Sequence, residues 1–331
     1  MASVNDIQRS KVFKSHKHHD SESHTSHLEV HLWEPDIIKD LINNKQPKLR
    51  VVVLSDTHNN IQRCSIPDGD VLIHCGDFSY KRDWKPDSQY IDVTVTLPAP
   101  TENVHHDKQK KDHGIFSKLF GKKEDEIEEP KTITKVLKVP PSVIKFNEFI
   151  GKLPHKYKIV IAGNHEIGLN DWTPIEIQAV LSNCTYLQDT SITIEGIKIW
   201  GSPWTTSHNM GFSMPRQQHK EHWKTIPSDT DILMTHLPPL NIRDLASGGS
   251  EDATVCEVCD QVHPYRKHWG NYSLYQNSKR VKPSIHLFGH VHECWGVTKQ
   301  DGLIFVNAAA DIMKKAICFD YYLCMAKAKT S

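Results

Sequence analysis

The sequence predicts an α/β sandwich, and three observations carry that prediction. Five short apolar runs end in Gly, His, Asp or Asn, helical stretches lie between them, and one pair of alternating segments folds over a two-residue turn. Continuous apolar runs are typical of strands buried on both faces of a sheet. Folded character begins near Leu49 with LRVVVLSDTH; DVLIHCGD (Asp70 to Asp77), YKIVIAGNHE (Tyr157 to Glu166), DILMTHLPP (Asp231 to Pro239) and SIHLFGHVH (Ser284 to His292) repeat the pattern. LIFVNAA and AICFDYY supply two further strands, and SITIEGIKIWGSPW reads as a hairpin around Glu195-Gly196. In TPIEIQAVLSN, Thr173 can cap a helix with Pro174 at its first position and Glu176 completing a capping box. PSVIKFNEFIGKL, Pro141 to Leu153, has helical apolar spacing.

At 331 residues the chain suits one large core with appendages. Apolar residues are 38% and the mean hydropathy is −0.51, so part of the chain is expected to add nothing to a core. Forty basic residues balance forty acidic ones, which argues against a general nucleic-acid binder, since phosphate contacts require a basic excess. No apolar leader and no run long enough to span a bilayer occurs, so the expectation is a cytoplasmic protein. Eight cysteines are too dilute for a disulfide scaffold and read as reduced thiols. Cys256 and Cys259 form one CxxC with only His263 and His268 nearby; the reading favoured is two ordinary thiols on a helix or loop rather than zinc.

The count of 22 His is the unusual number. His16, His18, His19, His24 and His27 fall in a polar stretch, residues 1–30, read as a disordered tail. Residues 31–325 form the domain, interrupted at about 81–140 by a charged surface insertion. Within it, Ile115, Phe116, Leu119 and Phe120 share a helical face beside lysines, so segment 108–123 suits either docking to a protein or membrane surface or packing back onto the domain.

The functional signal is shared by the strand ends. Asp56 and His58 follow the first apolar run, Asp77 the second, Asn164 and His165 the third, His236 the next, and His290 with His292 the one after. In an extended chain residues i and i+2 project to one side, so Asp56 with His58, and His290 with His292, are each expected to offer two ligands to one point. Ligands at the carboxyl ends of strands fall in the crevice where open α/β sheets bind substrates. Imidazoles with carboxylates suit manganese, iron or zinc, and so many candidates suit two ions rather than one, with Asp77 bridging.

The blocks SDTH, CGDFS, GNHE, MTHLPP and GHVH, in this order, resemble the calcineurin-like metallophosphoesterase family from roughly Leu49 to Leu323. KFNEFIGKLPHKYKIVIAGNHE, GSPWT and KPSIHLFGHVHE are similar to the animal metallophosphoesterase-domain-containing phosphodiesterases. The resemblance implies a four-layer α/β/β/α sandwich of two mixed sheets with a dinuclear centre. It implies Asp56, His58 and His292 on one metal, Asn164, His236 and His290 on the other, Asp77 bridging, and His165 facing substrate as proton donor or transition-state stabiliser. Manganese is the first expectation, with iron, zinc or magnesium as alternatives. Some relatives carry Gly where this chain has His290, so a complete site is expected here.

Phosphoprotein-directed members carry a GDxxDRG block, whereas this chain reads Gly76-Asp77-Phe78-Ser79-Tyr80-Lys81-Arg82. The expected activity is therefore metal-dependent hydrolysis of a small phosphodiester, such as a cyclic nucleotide, by a metal-bound hydroxide. The rival is a weakly active scaffold that acts through its insertion. Trp204 and Phe212 are candidates for stacking on a base or for core packing, with His208 and Asn209 as polar contacts.

Overall fold

Each long apolar run serves two cores at once. In the computed structural model, which describes residues 27–98, 132–251 and 254–326, Val51 and Val53 face one cluster while Val52 and Leu54 face another. Such a strand requires cover on both faces, which two stacked sheets with outer helices supply.

The strands are β1 (Leu28–Val30), β2 (Lys48–Leu54), β3 (Val71–Cys75), β4 (Ile91–Pro98), β5 (Thr132–Val139), β6 (Tyr157–Ile161), β7 (Thr185–Tyr186) and β8 (Thr190–Ile194). They continue as β9 (Ile197–Ser202), β10 (Ile232–Thr235), β11 (Leu245–Ser247), β12 (Arg266–His268), β13 (Ile285–Phe288), β14 (Gly296–Gln300), β15 (Leu303–Asn307) and β16 (Ile317–Tyr322). The helices are α1 (Pro35–Asn43), α2 (Pro141–Gly151), α3 (Pro174–Val180), α4 (Arg216–His222), α5 (Tyr272–Val281) and α6 (Ala310–Met313).

One sheet runs β1-β16-β2-β3-β6-β7 and the other β14-β15-β13-β10-β9-β8. Both are mixed, since β16 pairs antiparallel with β2, and β14 and β8 pair antiparallel at the edges of the second sheet. Between the sheets lie Val51, Val53, Ile73, Ile159 and Ile161 against Ile199, Ile232, Met234, Ile285 and Val306. Val143, Phe146 and Ile150 of α2, with Ile177 and Val180 of α3, cover the outer face of the first sheet. Leu274 and Val281 of α5 cover the second beside Trp200, Trp223 and Leu233. The four-layer α/β/β/α sandwich expected from the sequence is the architecture observed.

Local expectations held where the chemistry was explicit. Glu195 and Gly196 both take positive φ, 48° and 91°, as a two-residue turn joining β8 to β9 requires. Thr173 and Glu176 form both bonds of the capping box.

Two boundaries differ. Residues 28–30, assigned from the sequence to the tail, form β1 and pair with β16, so the described chain enters the sheet three residues early; residues 1–26 lie outside the described part. The span read as a charged surface insertion, about 81–140, contains an antiparallel ladder, β4 with β5, whose Val95, Leu97, Leu137 and Val139 are buried against the α2 and α3 layer. Asp92 and Lys138 sit on the outward face of the ladder and Lys135 on the inward one, where it pairs with Glu176 of α3, and that charge masked the alternation. Segment 108–123 lies outside the described residues. No helix among the described residues is long and apolar enough to cross a membrane.

Candidate metal centre

Strands β2, β3, β6, β10 and β13 all deliver side chains to one crevice at their carboxyl ends, where an open α/β sheet binds ligands. Asp56, His58 and His292 place one donor atom each within 4.8 Å of one another, and so do Asp77, His236 and His290. Asn164 joins the second group through Oδ1, 3.1 Å from His236 Nε2, and Asp77 Oδ2 lies 3.2 Å from the same nitrogen. The seven residues are thus brought together, in the two groups that the family resemblance implied.

The i and i+2 pairs do not lie on the extended backbone that the sequence suggests. Asp56, His58 and His290 adopt left-handed backbone conformations with φ of 54°, 41° and 71°, so none of them is extended. His290 and His292 consequently separate, the first joining Asp77 and the second Asp56. Turns, not extended backbone, place these side chains.

Hydrogen bonds set which nitrogen each ring offers. His58 Nδ1 donates to Ser79 O at 3.2 Å and His236 Nδ1 to Cys75 O at 2.7 Å, while His292 Nδ1 faces Asp311 Oδ2 at 3.4 Å. In its neutral form each ring has its Nε2 lone pair turned inward, the tautomer that metal ligation uses. His58 Nε2 and His292 Nε2 lie only 3.1 Å apart. Two facing lone pairs call for a cation between them, so the donor set fits a bound divalent metal.

Burial alone would raise the Asp56 carboxyl, but His236, His292 and His58 outweigh it and hold it well below the usual carboxylate range. Asp77 is held down in the same way, mainly by His236. In return the two carboxylates push His236 up to about 10, and Asp56 pushes His292 up to about 9, against burial in both cases. Burial pushes His290 down to about 3.

His165 differs from the ligand-type histidines. It also lies within 4.8 Å of His58 and Asp77 donors, but its Nδ1 accepts the Lys81 N–H at 3.3 Å. The neutral ring therefore carries its proton on Nε2, 4.0 Å from Asp77 Oδ2 and facing the cleft. Its own N–H is fixed by Asp77 Oδ1 at 2.7 Å.

Sequence reasoning missed Glu166, the last residue of GNHE. It is fully buried; one carboxylate oxygen accepts N–H groups of Asp77 (3.0 Å) and Gly163 (2.6 Å), the other the N–H and Oγ–H of Ser79 (2.8 and 3.0 Å). Glu166 ties the loop after β3 to the loop after β6. Gly163 could be read from sequence, and its reason is contact: a Cβ there would meet Asp77 Oδ1 and the His236 ring.

The centre opens into a cleft of about 780 Å³ lined by His165, His208, Arg216, Lys267 and Trp269, among others. Trp269, which no sequence pattern marked, sets its ring 5.4 Å from His290. Phe212 is fully buried and Trp204 packs edge-on against it while bonding Asp189. Both belong to the core rather than to a stacking platform. Asn209 is not among the cleft residues; His208 is. The CxxC lies on a loop, as expected, but converges with His263 and His268.

The calcineurin-like phosphoesterase family model matches residues 133–294. Two UPF0046 proteins of Caenorhabditis elegans are 33% and 34% identical over 80% and 79% of this chain and 70% and 75% of their own length. Metallophosphoesterase domain-containing protein 1 of Homo sapiens is 31% identical over 78% of this chain and 65% of its own.

Proposed function

The chain belongs to the calcineurin-like phosphoesterase family, and from that premise of metal-dependent phosphoester hydrolysis we propose a phosphodiesterase that acts on small or cyclic nucleotides. The observation that carries the reading is the pair of three-residue donor groups, Asp56/His58/His292 and Asp77/His236/His290, meeting at one cleft. In this proposal two divalent ions, manganese first, are held by these residues with Asn164, and Asp77 is shared. When bound, they supply Lewis-acid stabilisation of phosphoryl oxygens and a nucleophile at neutral pH.

The chain's own residues do the rest. Arg216 and Lys267 bring positive charge to the cleft, where they suit a phosphate. His165 keeps an Nε2–H beside the reacting centre and is placed to donate a hydrogen bond to a phosphoryl or leaving oxygen, stabilising the charge that develops there. Trp269 offers a face to a base or sugar. A cytoplasmic setting suits the eight free thiols.

Protein loaded with Mn²⁺ should hydrolyse bis-p-nitrophenyl phosphate, and Asp77→Ala or His236→Ala should abolish it. His290→Gly should lower turnover by about tenfold or more. Absence of hydrolysis with every divalent metal tried would reject the proposal, and unchanged activity of metal-saturated His290→Gly would reject the role of His290. A panel of cyclic nucleotides, linear diesters and monoesters then ranks the substrates.

A further inference from the structure

A loop without a core of its own stands beside the cleft. From 254 to 268 every residue is exposed except Cys256, Cys259, His263 and His268. Its apolar side chains point outward, with Val255, Val262 and Tyr265 more than half exposed. Hydrophobic burial therefore does not hold this loop, and something at its four shielded residues must.

Those four residues converge. One donor atom from each, two thiols and two imidazoles, lies within 4.8 Å of the others, and His268 Nε2 is 3.4 Å from Cys259 Sγ. Metal–ligand bonds of about 2.1 to 2.3 Å give a tetrahedron with edges of about 3.6 Å, so the pair already stands near that spacing. The order is C-x2-C-x3-H-x4-H, and both pairs have the internal spacing of structural zinc sites.

The surroundings are built for ligation. Cys256 Sγ accepts the Val258 N–H at 3.4 Å, and Cys256 N–H bonds Gln261 O at 2.9 Å, closing a tight turn that presents both sulfurs. His263 Nδ1 donates to Arg266 O at 3.0 Å, leaving a buried Nε2 with no hydrogen-bond partner among the described residues. His268 Nδ1 donates to the buried Asp244 at 2.8 Å, and Asp244 is anchored in turn by the N–H groups of Asn241 and Gly270. Both rings thus keep an Nε2 lone pair for the cluster, with outer partners fixing their orientation.

We propose that Cys256, Cys259, His263 and His268 bind one structural zinc ion, separate from the phosphoesterase centre. The β11–β12 ladder closes this loop, and the chain leaving it carries Lys267 and Trp269 to the cleft wall. Zinc here pins one side of the substrate site without entering it.

Cobalt substitution of the reduced full-length protein tests this, because the other centre contains no thiolate. A thiolate-to-cobalt charge-transfer band with tetrahedral ligand-field intensity is expected, and it should vanish in Cys256→Ser/Cys259→Ser together with one equivalent of zinc by elemental analysis. Absence of that band in the wild-type protein, or a Cys256–Cys259 disulfide persisting in reducing buffer, overturns the proposal. His263→Ala provides a variant that keeps both thiols; it should weaken zinc affinity at least tenfold by competition with a chromophoric chelator, and unchanged affinity also overturns the proposal.

Discussion

Glu166→Gln tests whether the phosphoesterase centre is held from behind. Burial and the Asp77 charge push this carboxyl up to about 8, yet four donors face its two oxygens and only the carboxylate can accept all of them, whereas an amide can accept on only one side. If the NH₂ faces Asp77 and Gly163, two buried N–H groups oppose a donor. If it faces Ser79, the Ser79 hydroxyl can turn to accept and only the Ser79 N–H is orphaned. The second arrangement is cheaper, with one orphan at about 1 to 3 kcal/mol and the loss of charge assistance in the bonds that remain. A net loss of about 2 to 3 kcal/mol follows, which lowers the urea midpoint by roughly 0.7 to 1 M at an m-value of about 3 kcal/mol/M. Manganese affinity should fall with it, because the loops bearing Asp77 and Asn164 lose their common anchor. Urea unfolding by fluorescence and metal titration measure the two effects. A midpoint and an affinity both equal to wild type would refute the reasoning.

Two further outcomes concern single rings, one buried and one at the cleft. His286 is fully buried between the Thr235 and Ser278 hydroxyls, and burial pushes it down to about 3. Below its ordinary pKa of 6.5 the unfolded chain takes up a proton that the folded chain refuses, so stability present above that pH is lost as pH falls, by about 2 kcal/mol between pH 7 and 5. His286→Gln should remove that part of the acid slope in urea unfolding at pH 7, 6 and 5; an unchanged slope would contradict the assignment. Trp269→Ala should raise KM for nucleotide substrates by about tenfold while leaving bis-p-nitrophenyl phosphate within about twofold, and equal losses on both would remove the stacking role.

The sheet strands that could be read from the sequence, such as β2, β3, β6, β10 and β13, are apolar on both faces, and short β-branched runs bounded by Gly, Asp or His seldom occur as helices. Those missed are β1, β7, β11, β12 and β14, where two to five residues give periodicity nothing to act on, and the longer β4 and β5, whose charged positions hid the alternation. The candidate ligands were legible because each lies just after a strand. Glu166 was not, because its role lies in accepting backbone N–H groups from two loops that sequence does not show as neighbours. The Cys256 cluster was visible only in part, since spacing gives the pairs but not the fold of the loop that joins them.

Left-handed backbone conformations at Asp56, His58, Asp77 and His290 bear on how the two centres depend on metal. Each costs about 1 kcal/mol or more in a non-glycine residue, so the turns persist only where neighbours hold them. Here they interlock: Asp56 N–H bonds Gly76 O at 2.9 Å, His58 N–H bonds Asp77 O at 3.0 Å, and His290 N–H bonds Asp56 Oδ2 at 2.8 Å. All of these bonds sit on strand ends already fixed by the core between the sheets. The phosphoesterase centre is therefore pre-organised by the scaffold and keeps its shape without ions. The loop from 254 to 268 has no core, and its ties to the rest of the chain gather at one end, in the short β11–β12 ladder, the Tyr265 bonds to Gly248, Gly249 and Ser250, and the His268–Asp244 bond. Chelation should then act unequally, sparing the fold around Asp77 while loosening the chain that leads to Trp269.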